Sequence, residues 1–180
     1  MVDKSFIANH RIRESVNDLL HESFRVADLE RGAAQVVTTP HLTARAYFTS
    51  PTIRKGQLTT LTVEISLADG LHVYGRPLPD GYIPVELTLD ENEALSLSQV
   101  IYPAPDGAEV EALGERLPVY TGRLAIRARC LGESKDGAGK IQVAARLRYQ
   151  ACDDRECFLP ESLTFVLPLD FLPHDWNLIT

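Results

Sequence analysis

No stretch of this chain approaches the roughly 18 consecutive apolar residues that a membrane-spanning helix requires. Its start, Met-Val-Asp-Lys-Ser-Phe-Ile-Ala, lacks the long apolar segment of a secretory signal, so the sequence as it stands predicts a soluble, untargeted chain. A basic surplus is missing too. Twenty-five acidic residues against 18 basic ones leave a formal charge of −7, which argues against a nucleic-acid surface or an anionic membrane as partner. Cysteine is scarce: three are too few for a disulfide-scaffold protein, and an odd number cannot all pair within one chain. There is no Gly-x-Ser-x-Gly, so a serine hydrolase is unsupported. Gly137-Ala-Gly139-Lys140 is only a fragment of a phosphate loop, with Ser134 upstream and no hydroxyl residue after the lysine, and it reads as a hairpin turn.

What remains is an ordinary globular composition, 44% apolar and 24% charged over 180 residues, enough for one domain with an appendage. The periodicity changes near residue 34. Before it, Ile12, Val16, Leu19, Leu20 and Phe24 recur at helical spacing, predicting an amphipathic helix over about residues 11–25. That helix either packs on the main domain or belongs to a neighbouring domain or a dimer contact. After residue 34 the period is two: Leu42 to Phe48, Leu61 to Leu67, Ile83 to Leu89, Leu124 to Cys130, Ile141 to Tyr149 and Leu163 to Leu169 all alternate. Turn signals at Ser50-Pro51, Lys55-Gly56, Asp69-Gly70, Asp80-Gly81, Pro103 to Gly107 and Asp136-Gly137 separate them. The pattern predicts an all-β protein, an antiparallel β-sandwich over residues 35–175 behind a helical appendage over 1–34.

Two cysteines, Cys152 and Cys157, bracket Asp153, Asp154, Arg155 and Glu156 between a strand ending near Tyr149 and one beginning near Ser162. If those strands form a hairpin, the loop returns on itself and the cysteine Cβ atoms can approach the approximately 4 Å a disulfide needs. So short a ring removes little unfolded-chain entropy, which favours an exchangeable bond over a structural one. Spacing alone leaves redox exchange, a structural disulfide and a zinc half-site all open. Zinc is the weakest, because a second Cys/His cluster is missing and His10, His21, His41, His72 and His174 are scattered; each reads as an ordinary surface or interface histidine. Cys130 continues the apolar face of Leu124, Ile126 and Ala128 and reads as core. Asp153, Asp154 and Glu156 disfavour a nearby thiolate, while Arg155 favours it, so a partner-dependent pair is expected rather than a hyper-reactive one.

The run Tyr149-Gln150-Ala151-Cys152 to Cys157-Phe158-Leu159-Pro160-Glu161-Ser162 resembles the cysteine hairpin of the N-terminal domain of the thiol:disulfide interchange protein DsbD. Asp69-Gly70-Leu71-His72-Val73-Tyr74 is similar to that family's aromatic segment, and Gly114-Glu115-Arg116-Leu117-Pro118-Val119-Tyr120 to the stretch after its cap loop. The resemblance covers about residues 36–170 and implies an immunoglobulin-like sandwich, extracytoplasmic, whose reduced cysteine pair passes electrons to thioredoxin-like or other disulfide-bearing proteins without a cofactor or metal. It implies that Leu113 occupies the cap's aromatic site, that Tyr74 lies beneath it, and that Cys157 attacks first. Two departures stand out: the cysteine loop is one residue shorter than in the best-known members, and the cap residue is aliphatic. The membrane segment and Cys-x-x-Cys thioredoxin motif of such proteins are missing here. The start, Asp3 to Phe6 followed by Arg11-Ile-Arg13, faintly resembles the end of a peroxiredoxin- or thioredoxin-like domain. The bland alternative is a non-catalytic binding or docking sandwich with a structural hairpin disulfide.

Overall fold

The computed structural model describes residues 33–106, 111–112, 115–133 and 139–173. The expected helix over 11–25 lies outside them. Among the described residues the regular structure is all β, and no helix is long and apolar enough to cross a membrane.

One sheet has five strands in the order β1 (Gln35–Thr38), β2 (Leu42–Phe48), β4 (Leu58–Leu67), β11 (Arg123–Gly132) and β7 (Leu95–Ile101). The opposing sheet has four, in the order β3 (Thr52–Ile53), β14 (Glu161–Phe171), β12 (Gly139–Tyr149) and β6 (Glu86–Leu89). Strict alternation explains why these segments fold so. In β11, Leu124, Ile126, Ala128 and Cys130 are buried while Arg123, Arg127 and Arg129 are exposed. In β14, Leu163, Phe165, Leu167 and Leu169 point inward. These faces meet Leu61, Val63 and Ile65 of β4 and Val143, Ala145 and Leu147 of β12 in one apolar core, the dominant source of stability.

A third, smaller sheet positions the site. It comprises β10 (Val119–Thr121), β5 (His72–Tyr74) and β13 (Ala151–Cys152). The expected Asp69-Gly70 turn delivers β5: Leu71 N–H donates to the Ala68 carbonyl at 3.1 Å, and Gly70 has φ 78°, a left-handed conformation that glycine adopts without a Cβ clash. One face of this sheet, Val73, Tyr120 and Ala151, joins the main core. The other carries a separate cluster of Tyr74, Leu117, Val119 and Cys152, with Leu78 and Tyr82 packed against it. A two-stranded ribbon, β8 (Glu111–Ala112) with β9 (Glu115–Arg116), precedes Leu117.

Candidate functional site

The hairpin expected around the cysteines is present, with an additional fold inside it. β12 and β14 pair antiparallel from Gly139↔Phe171 to Tyr149↔Glu161. Between them the chain crosses to β5, pairing Ala151 with Val73 and Cys152 with His72. It then doubles back, so that Cys152 and Cys157 face each other across an antiparallel bridge. Phe158 N–H donates to the Ala151 carbonyl at 2.9 Å, and Asp153 N–H to that of Glu156 at 3.0 Å. Cys152 and Cys157 are joined by a disulfide, Sγ–Sγ 2.04 Å, with their Cα atoms 4.0 Å apart.

Asp153 builds the turn. Its Oδ1 accepts the N–H groups of Arg155 and Glu156, both at 2.8 Å, an arrangement that short Asp side chains make readily. The Glu156 and Arg155 amides hold its carboxyl below the usual carboxylate range. Asp154 and Arg155 approach to 3.9 Å with both side chains almost wholly in solvent, so their charges are well screened. Of the four loop residues expected to tune the thiols, Asp153 is therefore engaged in shaping the turn, whereas Asp154 and Arg155 lie at its solvated tip.

The two sulfurs are unlike. Cys152 is 1% exposed, within the satellite cluster, whereas Cys157 is exposed. The buried Tyr74 hydroxyl lies 3.7 Å from Cys157 Sγ. Burial, and secondarily Tyr82, pushes the Tyr74 pKa up, so the hydroxyl keeps its proton and can donate it to sulfur. Its ring meets His72 at 5.5 Å and Tyr82 at 5.1 Å, both edge-on.

His72 requires a correction. Expected at the surface or at an interface, it is only 7% exposed, because β5 packs on both its faces within the domain. Burial lowers its pKa below 6.5, partly offset by Asp153, and its Nε2 is buried without a hydrogen-bond partner. His41 is also drawn toward the loop. It stacks on Phe158 at 4.6 Å and holds Nδ1 2.9 Å from Glu161 Oε1. The other Glu161 oxygen accepts the Tyr149 hydroxyl at 2.7 Å, and burial pushes that phenol up to about 12. This brace fixes the segment that follows Cys157. Sequence reasoning missed Tyr82 and read His41 as an ordinary histidine; His72 fell within the aromatic segment, and Leu117 and Val119 within the post-cap segment, without an assigned place in the site.

Leu113 falls between β8 and β9 in sequence, outside the described residues. Cys130 is fully buried in β11, its thiol pushed up to about 11 by burial, and takes no part in the site. Among the described residues, no group of three or more His, Cys, Asp or Glu side chains is placed to hold a metal ion.

Comparison with solved structures matches the N-terminal periplasmic domain of ScsB from Proteus mirabilis, at 20% identity and a TM-score of 0.52, over 77% of this chain and 51% of that one. This supports the fold, and the chain spans about half the length of that relative. The Neisseria meningitidis DsbD N-terminal domain in the reduced form matches at 20% identity and a TM-score of 0.42, over 63% and 82% of the two chains. Comparison with curated proteins gives no match. The family profile described as thiol:disulfide interchange protein DsbD, N-terminal, matches residues 39–169, from just before β2 through the cysteine hairpin and most of β14. With an exchange-type cysteine pair at the tip of that hairpin, the chain belongs to the DsbD N-terminal domain family of thiol–disulfide exchange domains.

Proposed function

We propose that this chain passes reducing equivalents between proteins outside the cytoplasm, with Cys157 as the sulfur that meets the partner and Cys152 as the one that resolves. The observation that carries this reading is the asymmetry of the pair: an exposed cysteine bonded to a buried one in a solvated turn. In the reduced domain the Cys157 thiolate attacks a partner disulfide. A Cys157–partner bond forms, and the displaced partner sulfur leaves with the electron pair and takes up a proton. Cys152 then attacks Cys157 Sγ, the mixed bond breaks, and the partner departs as a dithiol while Cys152–Cys157 is left oxidised. The partners are thioredoxin-like or other disulfide-bearing proteins, and the steps call for no cofactor.

A purely structural disulfide is disfavoured by the hydrogen bonds around it. Asp153 and the 151–158 backbone contacts already close this turn without the sulfurs. The exchanging unit is assigned to residues 35–175, with 1–34 an appended segment, because the two-residue alternation of the strands begins only after residue 34. The test is transfer from the reduced chain, and from a chain beginning at residue 35, to an oxidised thioredoxin-like protein. Both are expected to reduce it while forming Cys152–Cys157; absence of transfer from either the full or the shortened chain overturns the corresponding assignment.

Leu113 is assigned the shielding role because the ribbon beside it leads directly into Leu117 and Val119, which pack with Tyr74. Leu113→Ala is expected to speed alkylation of the reduced Cys157 by about threefold or more, as side-chain cover is lost. An unchanged alkylation rate would remove the cap from this picture.

A further inference from the structure

Cys152 must act as a thiolate when it attacks Cys157, yet it is 1% exposed, and burial favours the neutral thiol. Its packing partners Tyr74, Leu117 and Val119 bring no positive charge. The loop cation Arg155 is 87% exposed and turned toward Asp154. One neighbour carries a base. His72 is the cross-strand partner of Cys152, so the two side chains share a face, with Cβ atoms about 4.5–5.5 Å apart in pairs of this kind. Thr121 flanks His72 on the other side, giving a lateral row Thr121, His72, Cys152, Cys157 on the site face. The buried His72 Nε2 has no hydrogen-bond partner, a state that buried polar atoms generally avoid. In the disulfide neither sulfur has a proton to donate to it.

We propose that His72 is the proton acceptor of Cys152, its neutral imidazole taking the thiol proton as the sulfur attacks Cys157. The proposal rests on the exchange reading above. The Cys152 sulfur supplies the electron pair of the new Cys152–Cys157 bond, and the Cys157–partner bond breaks with its pair going to the partner sulfur. The proton moves from Cys152 to His72 and from there to the departing thiolate or to water. The groups facing His72 are compatible with this. Burial lowers its pKa, keeping the imidazole neutral near pH 7, while Asp153 from the loop favours the imidazolium that forms. Tyr74 on the same strand stays neutral, and the Asp106 carboxylate beside β10 is engaged by the Thr121 amide and hydroxyl at 2.7 and 2.8 Å.

The test uses the reduced full chain and glutathione disulfide, with acid quenching and mass spectrometry to separate formation of the Cys157–glutathione adduct from its closure by Cys152. In His72→Gln and His72→Phe, closure at pH 7 is expected to slow at least about tenfold, the scale of a lost general base, with the adduct accumulating and its formation unchanged. Wild-type closure is expected to level off above the His72 pKa, whereas closure in the variants keeps rising with pH as the thiol ionises unaided. Closure rates within about twofold of wild type from roughly pH 6 to 9 would overturn the role. Where neither variant folds, the wild type decides by ¹⁵N NMR: the His72 Nε2 resonance is expected to shift on reduction of the pair, and an unmoved resonance overturns the role. A wild-type chain that never forms the adduct overturns the exchange reading itself, and this role with it.

Discussion

Cys152→Ser is expected to hold the domain covalently joined to its partner through Cys157, and Cys157→Ser to reduce exchange to the background rate. Both follow from the unequal exposure of the sulfurs. A partner's disulfide can reach Cys157 at the solvated tip, but not Cys152, which lies under Tyr74, Leu117 and Val119. Without the Cys152 sulfur the mixed disulfide has no internal resolving group and persists until an outside thiol attacks it. Without Cys157 the remaining thiol is buried, and burial disfavours its reactive form. Non-reducing electrophoresis against a thioredoxin-like protein disulfide reads both outcomes. An adduct trapped in Cys157→Ser but not in Cys152→Ser would reverse the assignment of roles.

Tyr74→Ala is expected to destabilise the domain by about 3–5 kcal/mol, the usual cost of emptying a buried aromatic site. The ring is 2% exposed and is the hub on which His72 and Tyr82 pack edge-on beside the buried sulfur. Tyr74→Phe separates packing from chemistry. It keeps the ring and removes only the hydroxyl 3.7 Å from Cys157 Sγ. That hydroxyl stays protonated and can donate to a thiolate, a charge-assisted bond worth about 1.5–3 kcal/mol, so its loss is expected to raise the Cys157 thiol pKa by about one unit or more. Denaturant unfolding measures the first effect and the pH dependence of iodoacetamide alkylation the second. An unshifted alkylation profile in Tyr74→Phe would show the hydroxyl to be a bystander.

The sandwich was legible where burial is one-sided. Leu124, Ile126, Ala128 and Cys130 alternate with Ala125, Arg127 and Arg129, and Leu163, Phe165, Leu167 and Leu169 with the less buried Thr164, Val166 and Pro168, because each strand faces core on one side and water on the other. Cys130 could be placed in the core on that ground alone. The strand β5 was not legible as a strand: His72, Val73 and Tyr74 are all buried, since the core lies behind Val73 and the cysteine cluster in front, which erases the alternation. β7 was missed because its register shifts between Leu97 and Gln99, so that Leu95 and then Val100 turn toward the core while Leu97 and Ile101 of this edge strand are exposed. The cysteine pairing was foreseeable from the flanking strands. Which sulfur is buried was not, because it depends on Cys152 joining β5 and Cys157 staying outside it. For the same reason His72 looked like one more scattered histidine until its register with Cys152 was known.

The most direct measurement is the reduction potential of the Cys152–Cys157 pair, equilibrated in glutathione buffers and read by mass spectrometry. One cysteine is exposed, the ring contributes only about 2 kcal/mol through chain entropy, and the turn is closed without it, all features of a bond poised for exchange. The expected value lies between roughly −270 and −180 mV, the range of exchangeable protein disulfides. A value well below about −300 mV, with no mixed disulfide trapped in either single Cys→Ser variant, would show a structural disulfide and contradict the exchange function.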